Sequence, residues 1–150
     1  MKKILPAVFA VLLFGILLNC TSVSKQSPVA VNKNPQIQRE WMMVAFGNYA
    51  KPDLVRNNAK IDLTPKIEDG KIKGGAFMGC NNMFFTSEFN NGKVKISDIG
   101  STRKACPDMK LEGEFSRSFK NMTQYSVEGH FLTLSDDHGN QMKFVAADWD

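Results

Sequence analysis

From about residue 39 onward, apolar and polar residues alternate along most of the chain with the two-residue period of half-buried strands. In "KVKISDI", Val94 and Ile96 fall on one face and Lys93 and Lys95 on the other. "AKIDLTP" sets Ile61 and Leu63 between polar neighbours, and "QMKFVAA" does the same with Met142 and Phe144. "KIKGGAFM", "NMFFTSEF", "QYSVEG" and "FLTLSD" read as further strands. "EWMMVAF" opens the series as an apolar cluster, which fits a strand buried on both faces or the first strand of a barrel. Turn signals separate these runs: "EDG" at Glu68 to Gly70, "NNG" at Asn90 to Gly92, Gly129 with His130, and "DHGN". "GNYAKPD" reads as a loop through its Gly, Asn and Pro.

One segment changes period. In "DMKLEGEFSRSFKNM", Leu111, Phe115, Phe119 and Met122 recur at helical spacing, which predicts a helix with an apolar core face. Asp108, just after Pro107, suits its cap, and Glu112 and Glu114 suit its first turns. Gly113 inside it costs about 1 kcal/mol against alanine. Seven or eight short antiparallel strands in so small a domain would curl and close. The predicted class is α+β: a small antiparallel sheet curled into a barrel-like shape with one packed α-helix. Residues 39–150 are one domain by length, large enough for a single core.

The start of the chain sets the expected compartment. Lys2 and Lys3 precede "ILPAVFAVLLFGILL", an uncharged apolar run shorter than the roughly 20 residues that span a bilayer. A basic start and an apolar middle predict an export signal over residues 1–19, with an uncut signal anchor as the alternative. The run ends in "LLNC" and polar residues follow at once. An apolar stretch closing on a lone cysteine resembles the lipobox of bacterial lipoproteins, with Asn19 where Gly, Ala or Ser is usual. The resemblance implies cleavage before Cys20 and acylation of its thiol, and often of the new amine. Two acyl chains anchor stably where one is marginal.

Residues 20–38 then read as a lipid-anchored tether. "TSVSKQSPVAVNKNPQIQ" is rich in Ser, Asn, Gln, Lys and Pro, lacks an apolar period, and cannot offset its ordering entropy by burial. Thr21 stands where an Asp would signal inner-membrane retention, so the default location is the bacterial outer membrane, facing the periplasm. The formal net charge of +4 falls by the two signal lysines on processing, which leaves nothing basic enough to suggest nucleic acid.

With Cys20 assigned to lipid, Cys80 and Cys106 remain as an even pair in an exported protein. A disulfide between them fits an oxidising compartment, and the open alternative is two buried free thiols. Gly74, Gly75 and Gly79 would let the backbone bend toward the partner loop, and Asn81 and Asn82 would bond its exposed backbone. Zinc needs four ligands, and the two thiols with His130 and His138 lack a tight pair spacing. A catalytic thiolate needs a nearby base; Arg103 and Lys104 flank Cys106, but no histidine lies near either cysteine in sequence. "SDDHGN" lacks a calcium-loop pattern and reads as a hairpin turn. No phosphate-loop or hydrolase motif occurs, so neither cofactor nor metal nor enzymatic activity is expected. Asn81, Asn82, Thr102 and Arg103 are the polar candidates for binding, Thr102 and Arg103 toward an anion. Phe77, Phe84, Phe85 and Phe89 either fill the core or line a groove for an apolar ligand.

The order "WMMV", "GAFMGCNN", "ISDIGSTRKAC", "LEGEF" and "YSVEGHFLTL" resembles the META domain of HslJ-like heat-inducible envelope lipoproteins, across residues 41 to 146. Its GCN and STRxxC motifs are fairly specific when found together in this order. Phe85 and Ser87 fall where that family often has a glycine and a tyrosine, and Lys104 where an apolar residue is common. The resemblance implies a compact antiparallel sheet with a helix, an association with stress and drug tolerance, and no agreed enzymatic activity. The resulting expectation is a non-enzymatic envelope module that binds a protein or envelope component. The alternative is a small lipocalin-like barrel carrying an apolar ligand.

Overall fold

The computed structural model describes residues 34–149. The predicted signal, Cys20 and most of the predicted tether lie outside the described residues. In chain order the elements are β1 (Glu40–Phe46), α1 (Lys51–Arg56), β2 (Lys60–Asp62), β3 (Ile67–Glu68), β4 (Lys71–Phe77), β5 (Asn82–Asn90), β6 (Lys93–Ser101), α2 (Lys110–Phe119), β7 (Gln124–Glu128), β8 (Phe131–Ser135) and β9 (Gln141–Ala146). All strand pairs are antiparallel, in the order β2-β1-β9-β8-β7-β6-β5-β4-β3. A further ladder, Lys60↔Phe77 to Asp62↔Gly75, joins β2 to β4 and closes eight strands into a barrel. The short β3 hangs outside the ring as a hairpin on β4. Around the ring the strands follow chain order, the simple up-and-down scheme that leaves few free edges.

The alternation seen in sequence becomes the inside and outside of this barrel. Trp41, Met43, Ile61, Ile72, Phe85, Leu132, Leu134, Met142 and Phe144 are buried within it. The expected turns also form, and Asn91 and Gly92 take φ of 46° and 77°. One seam is thin: β6 and β7 meet at a single register pair, Lys93↔Gln124. Val94 N–H to Thr123 O (3.0 Å) and Tyr125 N–H to Gly92 O (2.9 Å) support it.

α2 forms where the helical period predicts, with Leu111, Phe115 and Phe119 buried. Phe115 stacks on Phe119 at 4.6 Å, Phe119 meets Phe85 edge-on at 4.8 Å, and Phe115 meets Phe46 at 6.4 Å. These rings place α2 against the end of the barrel where β1 finishes. Each buried phenylalanine contributes about 1.5–3 kcal/mol of transfer free energy.

Two expectations change. The chain has a second helix, α1, which begins within the segment that reads as a loop and runs three residues past it. Pro52 stands in its first turn, where a missing N–H is tolerated. Only Leu54 of its six residues is buried, so it has no apolar period to detect. The folded part also begins earlier than composition suggests. Ile37 is 1% exposed and its carbonyl accepts the Trp41 Nε1–H at 2.9 Å. Gln38 is likewise buried, and its Nε2 donates to Pro65 O at 2.7 Å.

Candidate functional site

The two sequence motifs meet at the N-terminal end of α2. After β4 the chain turns through Gly79, whose φ of +106° suits glycine alone, and a Cβ there would also strike the Asn57 side chain. This turn delivers Cys80 to Cys106, and the two form a disulfide with Cα atoms 6.1 Å apart. Gly74 and Gly75, read in sequence as part of the bend, instead lie inside β4. A Cβ on Gly74 would come within 2.6 Å of the Phe85 ring, so its role is to admit that ring to the core.

Asn81 is the centre of the junction and is 1% exposed. Its backbone N–H donates to Glu112 Oε2 at 2.7 Å, and its Nδ2 to Glu112 Oε1 at 2.9 Å and Lys104 O at 3.3 Å. Its Oδ1 accepts from the Lys104 N–H at 2.7 Å and the Thr102 hydroxyl at 2.9 Å. One amide therefore ties together the GCN turn, the STRxxC segment and the first turn of α2, with every polar atom of its side chain partnered. Thr102 also accepts the Asn82 N–H at 3.2 Å and donates its own N–H to Asn82 O at 3.0 Å.

The four polar candidates thus divide. Asn81 and the Thr102 hydroxyl are spent on each other, whereas the side chains of Asn82 and Arg103 are exposed. Asn82 lines a surface depression of about 260 Å³ with Lys60, Asp62, Gly75 and Phe77. Glu112 reads in sequence only as an acidic first-turn residue, yet it is the buried acceptor for Asn81. The available signal was its place three residues before Phe115, on the apolar side of the helix.

The remaining candidates lie elsewhere. Asp108 bonds the Lys110 N–H at 2.9 Å, one residue outside the cap position expected of it. Tyr49 stacks on Phe46 at 5.9 Å near α2, and its hydroxyl is buried without a hydrogen-bond partner. Burial, with the Glu114 carboxylate beside it, pushes the phenol up to about 12. In the "SDDHGN" turn, Asp136 accepts from His138 N (2.9 Å), Asn140 N (2.9 Å) and Asn140 Nδ2 (2.7 Å). The Asn140 side-chain bond leads in holding the Asp136 carboxyl below its ordinary range. The turn is closed by its own side chains. His130 lies at a separate position, under Trp149. Among the described residues no three His, Cys, Asp or Glu side chains group as metal ligands. Of the four phenylalanines, Phe85 fills the core, Phe77 and Phe89 are half-buried, and Phe84 is 59% exposed.

The META domain profile matches residues 35–149. Among solved structures, the chain is similar to a protein from Burkholderia xenovorans determined by NMR, with a TM-score of 0.58 and 16% identity, covering 77% of this chain and 86% of that one. It is also similar to a DUF4847 family protein from Bacteroides vulgatus in a crystal structure, with a TM-score of 0.51 and 15% identity, covering 76% and 96% of the two chains. At such identity these likenesses speak for the fold alone. No curated protein matches the chain.

Proposed function

The chain belongs to the META-domain family, and on that premise we propose that it is a lipid-anchored protein of the bacterial cell envelope. Its domain acts as a non-enzymatic binding module that supports envelope integrity under stress or drug challenge. The observation that carries this reading is the junction itself. A Cys80–Cys106 disulfide fits an oxidising compartment outside the cytosol. Within the junction, both cysteine sulfurs, the Asn81 amide and the Glu112 carboxyl are committed to mutual contacts, as befits a brace rather than a reaction centre. The anchor is Cys20, and the protein faces the periplasm from the outer membrane. Mass spectrometry of the mature N-terminus, with detergent partitioning, is expected to find an acylated Cys20; an unmodified thiol there refutes the anchor.

The barrel interior weighs against the carrier alternative. Trp41, Phe115, Phe119 and Phe144 are each at most 1% exposed and occupy the space in which a lipocalin-like protein would hold its ligand. Native mass spectrometry of protein taken from membranes should give the bare polypeptide-plus-lipid-anchor mass. A stoichiometric apolar adduct would restore the carrier reading. Cross-linking in stressed cells is expected to trap an envelope partner.

A further inference from the structure

The chain enters and leaves the barrel at the same end, where β1 begins and β9 finishes. Trp41 pairs with Ala146, Ala147 donates its N–H to Glu40 O at 2.9 Å, and Arg39 faces Asp148 at 3.8 Å. Just beyond, Trp149 lies flat on His130, with ring centres 4.7 Å apart and planes inclined by 10°. Phe131 meets the same indole edge-on at 5.7 Å. Trp149 is pinned by its N–H to Ala146 O at 3.2 Å, yet it stays 47% exposed and Phe131 45% exposed. Two large aromatics are thus held in place with their outer sides open to water.

We propose that this end of the barrel seats on the lipid surface, with Trp149 and Phe131 at the level of the headgroups. The proposal rests on the reading of Cys20 as the lipid attachment. Thirteen residues, 21 to 33, separate Cys20 from Asn34, the first described residue. Fully extended, such a link reaches at most about 50 Å. A link of that length keeps the Asn34–Arg39 end of the barrel near the bilayer and raises the effective concentration of lipid around the aromatic pair. Tryptophan suits that depth, since its ring is largely apolar and its N–H can stay among the headgroups. Arg39 is paired with Asp148, so the contact should need no anionic lipid. The far end, with α2, the disulfide and the exposed Arg103, would then face away from the membrane toward a partner.

The chain has two tryptophans, and they separate cleanly as probes: Trp41 is 0% exposed and Trp149 is half open. The acylated full-length protein would be reconstituted into phosphatidylcholine–phosphatidylethanolamine vesicles with acyl chains brominated near the headgroup. Most of the Trp149 emission should be quenched, little changed by added salt. Trp149→Phe should remove the quenchable fraction and leave the Trp41 emission, which also reports that the domain is folded. A modified Cys20 with Trp149 unquenched and open to aqueous iodide overturns the seating while leaving the anchor intact. Trp149 shielded from both quenchers, with dimer-sized cross-links, places a second copy on the patch and also overturns it. An unmodified Cys20 removes the anchor and this proposal with it.

Discussion

At the α2 end of the barrel, Asn81 is 1% exposed, each of its side-chain polar atoms has a partner, and the chain is closed through Cys80 and Cys106. At the other end, Trp149 and Phe131 stand half open, and the Arg39–Asp148 ion pair is partly exposed at 3.8 Å. The contrast teaches where energy is concentrated. Buried polar groups must be satisfied completely, because each one left alone costs about 1–3 kcal/mol. A solvated ion pair contributes about 0–1 kcal/mol whether or not it forms. The first end is built to hold, and the exposed groups of the second contribute little to folding, which leaves them free to contact something else.

The sharpest way to break this comparison is at the disulfide. Replacing Cys80 and Cys106 together by serine should lower unfolding free energy by roughly 3–4 kcal/mol, as expected for a loop closed across 26 residues. Urea unfolding measures this, and a loss below about 1 kcal/mol would mean that the hydrogen bonds alone hold the junction. Next comes Asn81→Ala, which strands Glu112, the Thr102 hydroxyl and the Lys104 N–H together and should cost about 2–3 kcal/mol. Combined with Glu112→Gln in a double-mutant cycle, it should be clearly non-additive; simple additivity would show that the two groups act independently.

Tyr49 tests the same end through pH. Its phenol is raised in the folded state, so the folded form holds the proton more tightly than the unfolded chain does. The associated stability is fully present below pH 10 and is lost as pH climbs toward about 12. An ultraviolet phenolate titration should contain a late component that Tyr49→Phe removes. The smallest effect belongs to the open end: in water, Arg39→Ala should change stability by no more than about 0.5 kcal/mol. A loss as large as that at Asn81 would erase the distinction between the two ends.

The barrel was legible where one face of a strand is wet and the other dry, because that contrast is written every second residue in segments such as "KVKISDI". α1 was not, since a six-residue helix with one buried side chain, Leu54, leaves no repeating trace. Ile37 was missed because it is a single apolar residue among polar ones, and its burial shows only in the folded chain. Counting cysteines pointed to the disulfide while leaving two free thiols open, but it said nothing of the role of Asn81. A sequence displays an amide without its surroundings, and its partner Glu112 lies 31 residues downstream. Closure through β2 and β4, and through β1 and β9, is likewise a property of the ring that no local window contains.

Because the strands run around the ring in chain order and β9 lies beside β1, no strand is topologically first. A circularly permuted polypeptide, with Asn34 and Trp149 joined by a short linker and new termini cut in the Asn90–Gly92 turn, should reach the same architecture. Such a rearrangement would carry any N-terminal attachment to the β5–β6 hairpin. The orientation of this domain on a surface could then be changed without altering a single core side chain.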